Sequence, residues 1–120
     1  VSITSSAFRA YINAAGDDAG GPGYQTSQDQ ANGTSYQQLQ NNIGYEPEES
    51  CSAHLTIFDP SSDTFVKQFI GESTTHMSDA GSKHDFNSGY LNTTSPITQI
   101  HFKLSSGNIK SGTIAMYGIL

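Results

Sequence analysis

Apolar and polar residues alternate most clearly in the last quarter of the chain. In Ile97–Leu104 every second residue from Ile100 onward is apolar, and this period of two places the apolar set on one face of a β-strand. Ser105–Gly112 has the composition of a turn. Thr113–Leu120 is apolar on both faces, which is typical of a strand covered on both sides. The pattern predicts a closing hairpin that ends inside a core or against another copy of the chain.

Shorter alternations predict further strands, and no stretch has the period of an amphipathic helix. The predicted strands are Ser2–Asn13, Ser35–Asn41, Cys51–Phe58 and Thr64–Thr75. Stretches rich in Gly, Pro, Ser and Asp predict loops at Ala14–Gly23, Gly44–Glu49 and Met77–Gly89. Seven or eight strands separated by polar loops indicate an all-β, antiparallel β-sandwich. A jelly roll is the preferred topology, and an immunoglobulin-like sandwich is the alternative.

Length and charge limit the classes of function. The 120 residues predict one domain, 1–120, and the missing initiator Met suggests the C-terminal part of a longer chain. A formal charge of −6 with scattered basic residues argues against nucleic-acid binding. No apolar run is long enough to cross a membrane. The single cysteine, Cys51, excludes an intrachain disulfide and is predicted to be a buried small residue, with His54 on the opposite strand face.

The C-terminal residues carry a resemblance to a known group of proteins. An Ile-Thr-x-Ile-x-Phe strand is followed by a Ser/Gly-rich turn, Gly-Asn-Ile and a final Ser-Gly-Thr-Ile-x-x-Tyr-Gly-Ile. This pattern, clearest over Gly89–Leu120, resembles the closing hairpin of small β-sandwich modules in tailed-bacteriophage virion proteins. Those modules include distal tail-fibre domains and head-decoration proteins. The resemblance implies a protein on the virion surface, on the tail or on the capsid exterior.

No catalytic group and no cofactor is predicted. The serines lack a Gly-x-Ser-x-Gly turn, and the glycines of the first loop lack the lysine and helix of a phosphate-binding loop. His76 and His84 lie close enough in sequence to suggest a transition-metal site where chains meet on an axis, but their spacing matches no established site. The predicted loop that carries them is also flexible, so no metal site is predicted.

Tyrosines and amides near the predicted loops form the remaining candidate site. Aromatic faces stack on sugar rings, and amides and acids bond to sugar hydroxyls. Many amides, including those at positions 28, 37 and 38, lie in this part of the chain. The alternative is that sandwich loops are simply polar and rich in tyrosine. The candidate ligand-binding residues are Tyr24, Tyr36, Tyr90, Asp17, Asp18 and Gln37.

Two functions follow from these observations. The first is a non-enzymatic receptor-binding module of a tail fibre that recognises glycans on the host surface. The second is a capsid decoration protein that clamps neighbouring capsid subunits. In either case the resemblance implies other virion proteins as partners and a homotrimer, since the modules that this chain resembles are commonly trimeric. Thr113–Leu120, apolar on both faces, is expected to pack against the other copies.

Overall fold

The fold is one antiparallel β-sheet. The computed structural model describes residues 1–119, which contain no helix, and therefore none long and apolar enough to span a membrane. The strand order is β2-β1-β6-β5-β4, with β3 also pairing with β1. The strands are β1 (Ile3–Asn13), β2 (Ala19–Tyr24), β3 (Gln30–Gly33), β4 (Cys51–Ile57), β5 (Lys67–His76) and β6 (Gly81–Leu91). The all-β, antiparallel prediction is confirmed, and the jelly-roll strand order stays a prediction.

Three predicted strands are present, but two predicted loops contain strands. β1, β4 and β5 match their predictions to within a few residues. The predicted loop Met77–Gly89 is wrong, because it contains most of β6, which pairs with both β1 and β5. The alternation in β6 was hidden because the face that it buries carries small, polar and charged residues rather than apolar ones. The predicted loop Ala14–Gly23 is likewise wrong, since it contains most of β2; Pro22 is accommodated there because β2 is an edge strand.

The two faces of the sheet differ in what covers them. Residues of β5 alternate strictly between buried and exposed. The buried residues form the covered face, over which the irregular segment 34–43 crosses. This segment, which we call the covering segment, was wrongly predicted to contain a short strand at Ser35–Asn41. Its backbone bonds to side chains of the sheet instead: the oxygen of Leu39 accepts hydrogen bonds from Asn87 at 3.0 Å and from Ser73 at 3.2 Å. The other face, which we call the open face, has no such cover among residues 1–119.

Charged side chains are buried in the covered face. Lys83 and Asp85 are both fully buried, and the Lys83 Nζ lies 3.1 Å from the Asp85 Oδ1. The two charged groups thus form a buried ion pair. Burial lowers the pKa of Lys83 below its usual range; Asp85 opposes this shift, and the positive charge of Arg9 adds a smaller lowering. Each charge of the pair therefore offsets the free-energy cost of burying the other.

Lys67 joins three separated parts of the chain. It is fully buried, and its ammonium group donates to the carbonyl oxygens of Ser62 at 2.6 Å, Phe65 at 2.8 Å and Thr94 at 3.1 Å. Ser62 and Phe65 belong to the β4–β5 loop, whereas Thr94 follows β6. A single buried cation thus fixes the point where the chain leaves the sheet toward its C-terminus.

The predicted C-terminal hairpin is not formed. Residues 97–119 contain no strand, and the last predicted residue, Leu120, lies outside the described residues. The Ile97 N–H donates to the Pro60 carbonyl at 2.8 Å, and it is the only backbone hydrogen bond of this segment outside strands among the described residues. Met116, Tyr117 and Ile119 are 84–90% exposed rather than part of a core. Apolar and polar residues do alternate here, but a strand also needs a neighbouring strand to pair with its backbone groups. No strand pairs with residues 97–119 among the described residues.

Cys51 is exposed rather than buried. It pairs with Thr75 of the covered face, so its predicted face is correct, and His54 points to the opposite face as expected. The prediction of burial fails because β4 is an edge strand of the sheet, with β5 as its one neighbouring strand. The Gln40 Nε2 lies 2.7 Å from the Cys51 Sγ.

Candidate functional site

A polar cavity lies at one corner of the sheet, between β3 and the start of the covering segment. A turn after β2 begins it: the Gln25 carbonyl accepts hydrogen bonds from the N–H groups of Gln28 at 3.1 Å and Asp29 at 3.2 Å. The chain then forms β3 and turns onto the covered face. The cavity has a volume of about 390 Å³, within the roughly 300–1,000 Å³ typical of small-molecule sites. We call it the amide pocket; it is lined by Ser27, Gln28, Asp29, Gln30, Gly33, Ser35, Tyr36 and Gln38.

Gln28 is the most unusual residue of the amide pocket. Its side chain is only 2% exposed, yet neither its Nε2 nor its Oε1 has a hydrogen-bond partner among the described residues. Its backbone, in contrast, is held firmly, because the Gln28 carbonyl accepts a 2.9 Å hydrogen bond from the Gln37 Nε2. A buried amide without partners destabilises a fold by roughly 1–3 kcal/mol. Such a group is rare in proteins and calls for an explanation.

A second amide in the pocket is only partly bonded. The Gln30 Nε2 donates to the Ser35 carbonyl at 3.2 Å, while the buried Gln30 Oε1 has no partner among residues 1–119. The two glutamines together offer one donor nitrogen and two acceptor oxygens that the chain leaves unused. A ligand that both donates and accepts hydrogen bonds would match this set.

Tyr36 forms an aromatic wall of the pocket. Residues 97–119, which we call the C-terminal segment, hold it in place. The Tyr36 hydroxyl shares a 2.5 Å hydrogen bond with the His101 Nδ1, and the two rings meet edge to face. The Lys103 ammonium lies 4.2 Å from the centre of the Tyr36 ring, a cation–π contact. Residues far apart in sequence therefore fix the orientation of this ring.

An acidic group stands on the rim of the pocket. The Asp29 Oδ2 accepts a 2.7 Å hydrogen bond from the Tyr24 hydroxyl. This hydrogen bond is the main reason why the pKa of the Tyr24 phenol is raised. Asp29 and Tyr24 thus form a hydrogen-bonded pair at the edge of the cavity. The Asp29 carboxylate can accept further hydrogen bonds.

The predicted site residues do not form one surface. Tyr36 lines the amide pocket, and Tyr24 reaches it through Asp29. Tyr90 lies on the open face, opposite Thr4 of β1. Asp17 and Asp18 lie in the β1–β2 turn, at the far end of β1, where they accept hydrogen bonds from Asn13 at 2.7 Å and Tyr11 at 3.2 Å respectively.

Gln37 has a structural role. Its Nε2 donates to the carbonyls of Gln28 and Gln38, and its Oε1 accepts a 2.7 Å hydrogen bond from the Ser5 hydroxyl. The glutamines that line the pocket are Gln28, Gln30 and Gln38 instead. The sequence signal was the local density of glutamines, which marks the region but does not distinguish a bonded amide from an unbonded one.

Elsewhere in residues 1–119 no cavity has comparable unbonded amides. A second cavity of about 420 Å³, at the β1 end near Asn13, is lined largely by small side chains, with Cys51 and His76 among them. Within residues 1–119 no group of three His, Cys, Asp or Glu side chains could hold a metal ion. His84 lies 3.3 Å from Glu72, and His76 lies 3.7 Å from Glu49, so the two histidines have separate acidic neighbours.

Comparisons with known proteins add no relative. No protein-family model matches the chain, and neither the curated proteins nor the solved structures contain a significant match.

Proposed function

We propose that this protein is a non-enzymatic recognition module that binds a sugar unit of a surface glycan in the amide pocket. The observation that carries the proposal is the buried, unpartnered amide of Gln28. A sugar ring presents hydroxyls that donate and accept at once, which is the complement of the free groups on Gln28 and Gln30. The Tyr36 ring adds an apolar surface beside these polar groups. The resemblance of the C-terminal residues to phage virion modules supports a tail-fibre location, with host surface glycans as the ligands.

Replacing Gln28 with Met should weaken glycan binding without weakening the fold. Met has nearly the shape of Gln, and it removes a buried amide that the fold leaves unbonded, so the melting temperature should stay the same or rise. Loss of two hydrogen bonds to a ligand, at roughly 1 kcal/mol each, should weaken binding by about tenfold or more. The measurement is binding to an array of bacterial surface polysaccharides, alongside thermal unfolding. Gln68→Met, on an exposed position of β5, is the matched control and should bind like the wild type.

The outcome of this pair of variants separates function from structure. If Gln28→Met unfolds at a clearly lower temperature, the amide has an internal partner and the proposal loses its main support. If the wild-type chain binds no polysaccharide on the array but binds expanded, undecorated capsids, the protein acts as a decoration protein. A stable Gln28→Met variant that binds sugar as well as the wild type would place the ligand elsewhere.

A further inference from the structure

Charge is divided unevenly along the chain. Residues 1–91 hold all 11 Asp and Glu residues but only three Lys and Arg residues, a formal charge of −8. Residues 92–120 hold two lysines and no acidic residue, a formal charge of +2. Because Lys67 and Lys83 are buried, the surface of the sheet is more acidic still. The folded sheet and the C-terminal segment therefore attract each other, within one chain or between chains.

The open face carries exposed apolar side chains. Phe8 and Phe86 stack in parallel, with ring centres 4.6 Å apart, and the His84 ring lies 3.9 Å from Phe86. Large apolar residues surround this stack and are substantially exposed: Ile12, Tyr24, Ile70 and Tyr90. Contiguous apolar exposure of this kind marks an interaction surface. Glu72 lies on the same face, opposite Phe86 in the pairing of β5 with β6, so the patch has an acidic neighbour.

The C-terminal segment has the properties expected of a segment that covers the open face. Residues 97–119 have strand-like alternation, and many of their backbone groups have no partner within the described chain. Their apolar side chains are exposed, increasingly so toward Ile119. Lys110 provides a positive charge that an acidic surface would attract. Both halves of an interface are thus present in one chain.

We propose that residues 105–119 of one copy dock on the open face of a second copy. The start of the C-terminal segment faces away from its own open face, because His101 and Lys103 are held against Tyr36 on the side of the covering segment, the opposite side of the sheet. Beyond Leu104 the fifteen residues to Ile119 span up to roughly 50 Å when extended, enough to reach a neighbouring molecule. The contact is heterologous, so it closes into a ring if the rotation between copies permits. This inference is independent of the proposed sugar site.

Isotope mixing distinguishes this contact from docking within one chain. Equal amounts of ¹⁴N- and ¹⁵N-labelled full-length protein are mixed, equilibrated and treated with a carbodiimide, which joins the Lys110 amine to a nearby carboxylate such as that of Glu72. We expect linked peptides that carry one light and one heavy partner, in the proportion given by random pairing. Links only between equally labelled partners, or no Lys110–Glu72 link at all, would overturn the proposal.

Charge substitutions test the same contact without cross-linking. Met116→Glu on the C-terminal segment and Ile70→Glu on the open face should each convert an oligomer into a monomer, as measured by light scattering. Tyr45→Glu, 87% exposed and outside both surfaces, should leave the mass unchanged. Adding Ile70→Lys to Met116→Glu should restore assembly, since the new positive and negative charges then attract each other. A wild-type protein that is monomeric at micromolar concentration, or variants that keep the wild-type mass, would contradict the proposal.

Discussion

Replacing Asp85 with Ala is expected to lower the free energy of unfolding by about 3–5 kcal/mol at neutral pH, because it leaves the buried Lys83 ammonium without a counter-ion. Arg9 lies opposite position 85 on β1, and its positive charge would then repel the Lys83 ammonium. A loss of this size is a large share of the stability of a typical domain. Urea unfolding is the measurement. Asp79→Ala, an exposed carboxylate in the β5–β6 turn, is the control and should change stability by about 0.5 kcal/mol or less.

The pH dependence of the Asp85→Ala variant adds a sharper test. Without Asp85, the pKa of Lys83 in the folded state should fall further below its unfolded value, so the unfolded chain binds the proton more tightly. Raising the pH from about 7 toward about 10 should therefore recover part of the lost stability. A destabilisation that stays constant over this range would show that the Lys83 charge is not its cause. The double variant Lys83→Met/Asp85→Leu removes both charges and should be more stable than Asp85→Ala alone.

Replacing Phe69 with Ala should cost about 3–5 kcal/mol, the usual range for a buried aromatic residue. Phe69 is 4% exposed on the covered face, and buried apolar residues are few in this fold. Phe65→Ala is the matched control, because Phe65 lies four residues earlier in the β4–β5 loop and is 67% exposed. The control should lose less than about 1 kcal/mol. Equal melting temperatures for the two variants would contradict the assignment of the covered face.

The sequence predicted strands well where apolar and polar residues alternate regularly, as in β1 and β4. β6 was missed because Lys83, Asp85 and Asn87 occupy its buried positions, and a hydrophobic pattern cannot identify a face that is buried by ion pairing and hydrogen bonding. The C-terminal hairpin failed in the opposite way. Its alternation is clear, but a strand depends on a pairing partner, which local pattern does not report.

The candidate site was located only approximately from the sequence. The density of tyrosines and glutamines indicated the right region, and Tyr36 does line the pocket. Gln37 was chosen and Gln28 was not, although the two residues are chemically identical. They differ only in hydrogen bonding: Gln37 is bonded through both amide atoms, and Gln28 through neither. That difference arises from the path of the covering segment, which no local feature of the sequence encodes.

The most direct test of the sugar site is an NMR titration of the ¹⁵N-labelled full-length protein with a panel of hexoses and N-acetylhexosamines. We expect at least one sugar to shift the side-chain NH₂ signals of Gln28 and Gln30 and the backbone signals near Tyr36, while the signals of the distant Asn13 side chain stay in place. Shifts confined to the open face around Phe8 and Phe86, or no shifts at millimolar concentrations of any sugar and of its oligomers, would contradict it.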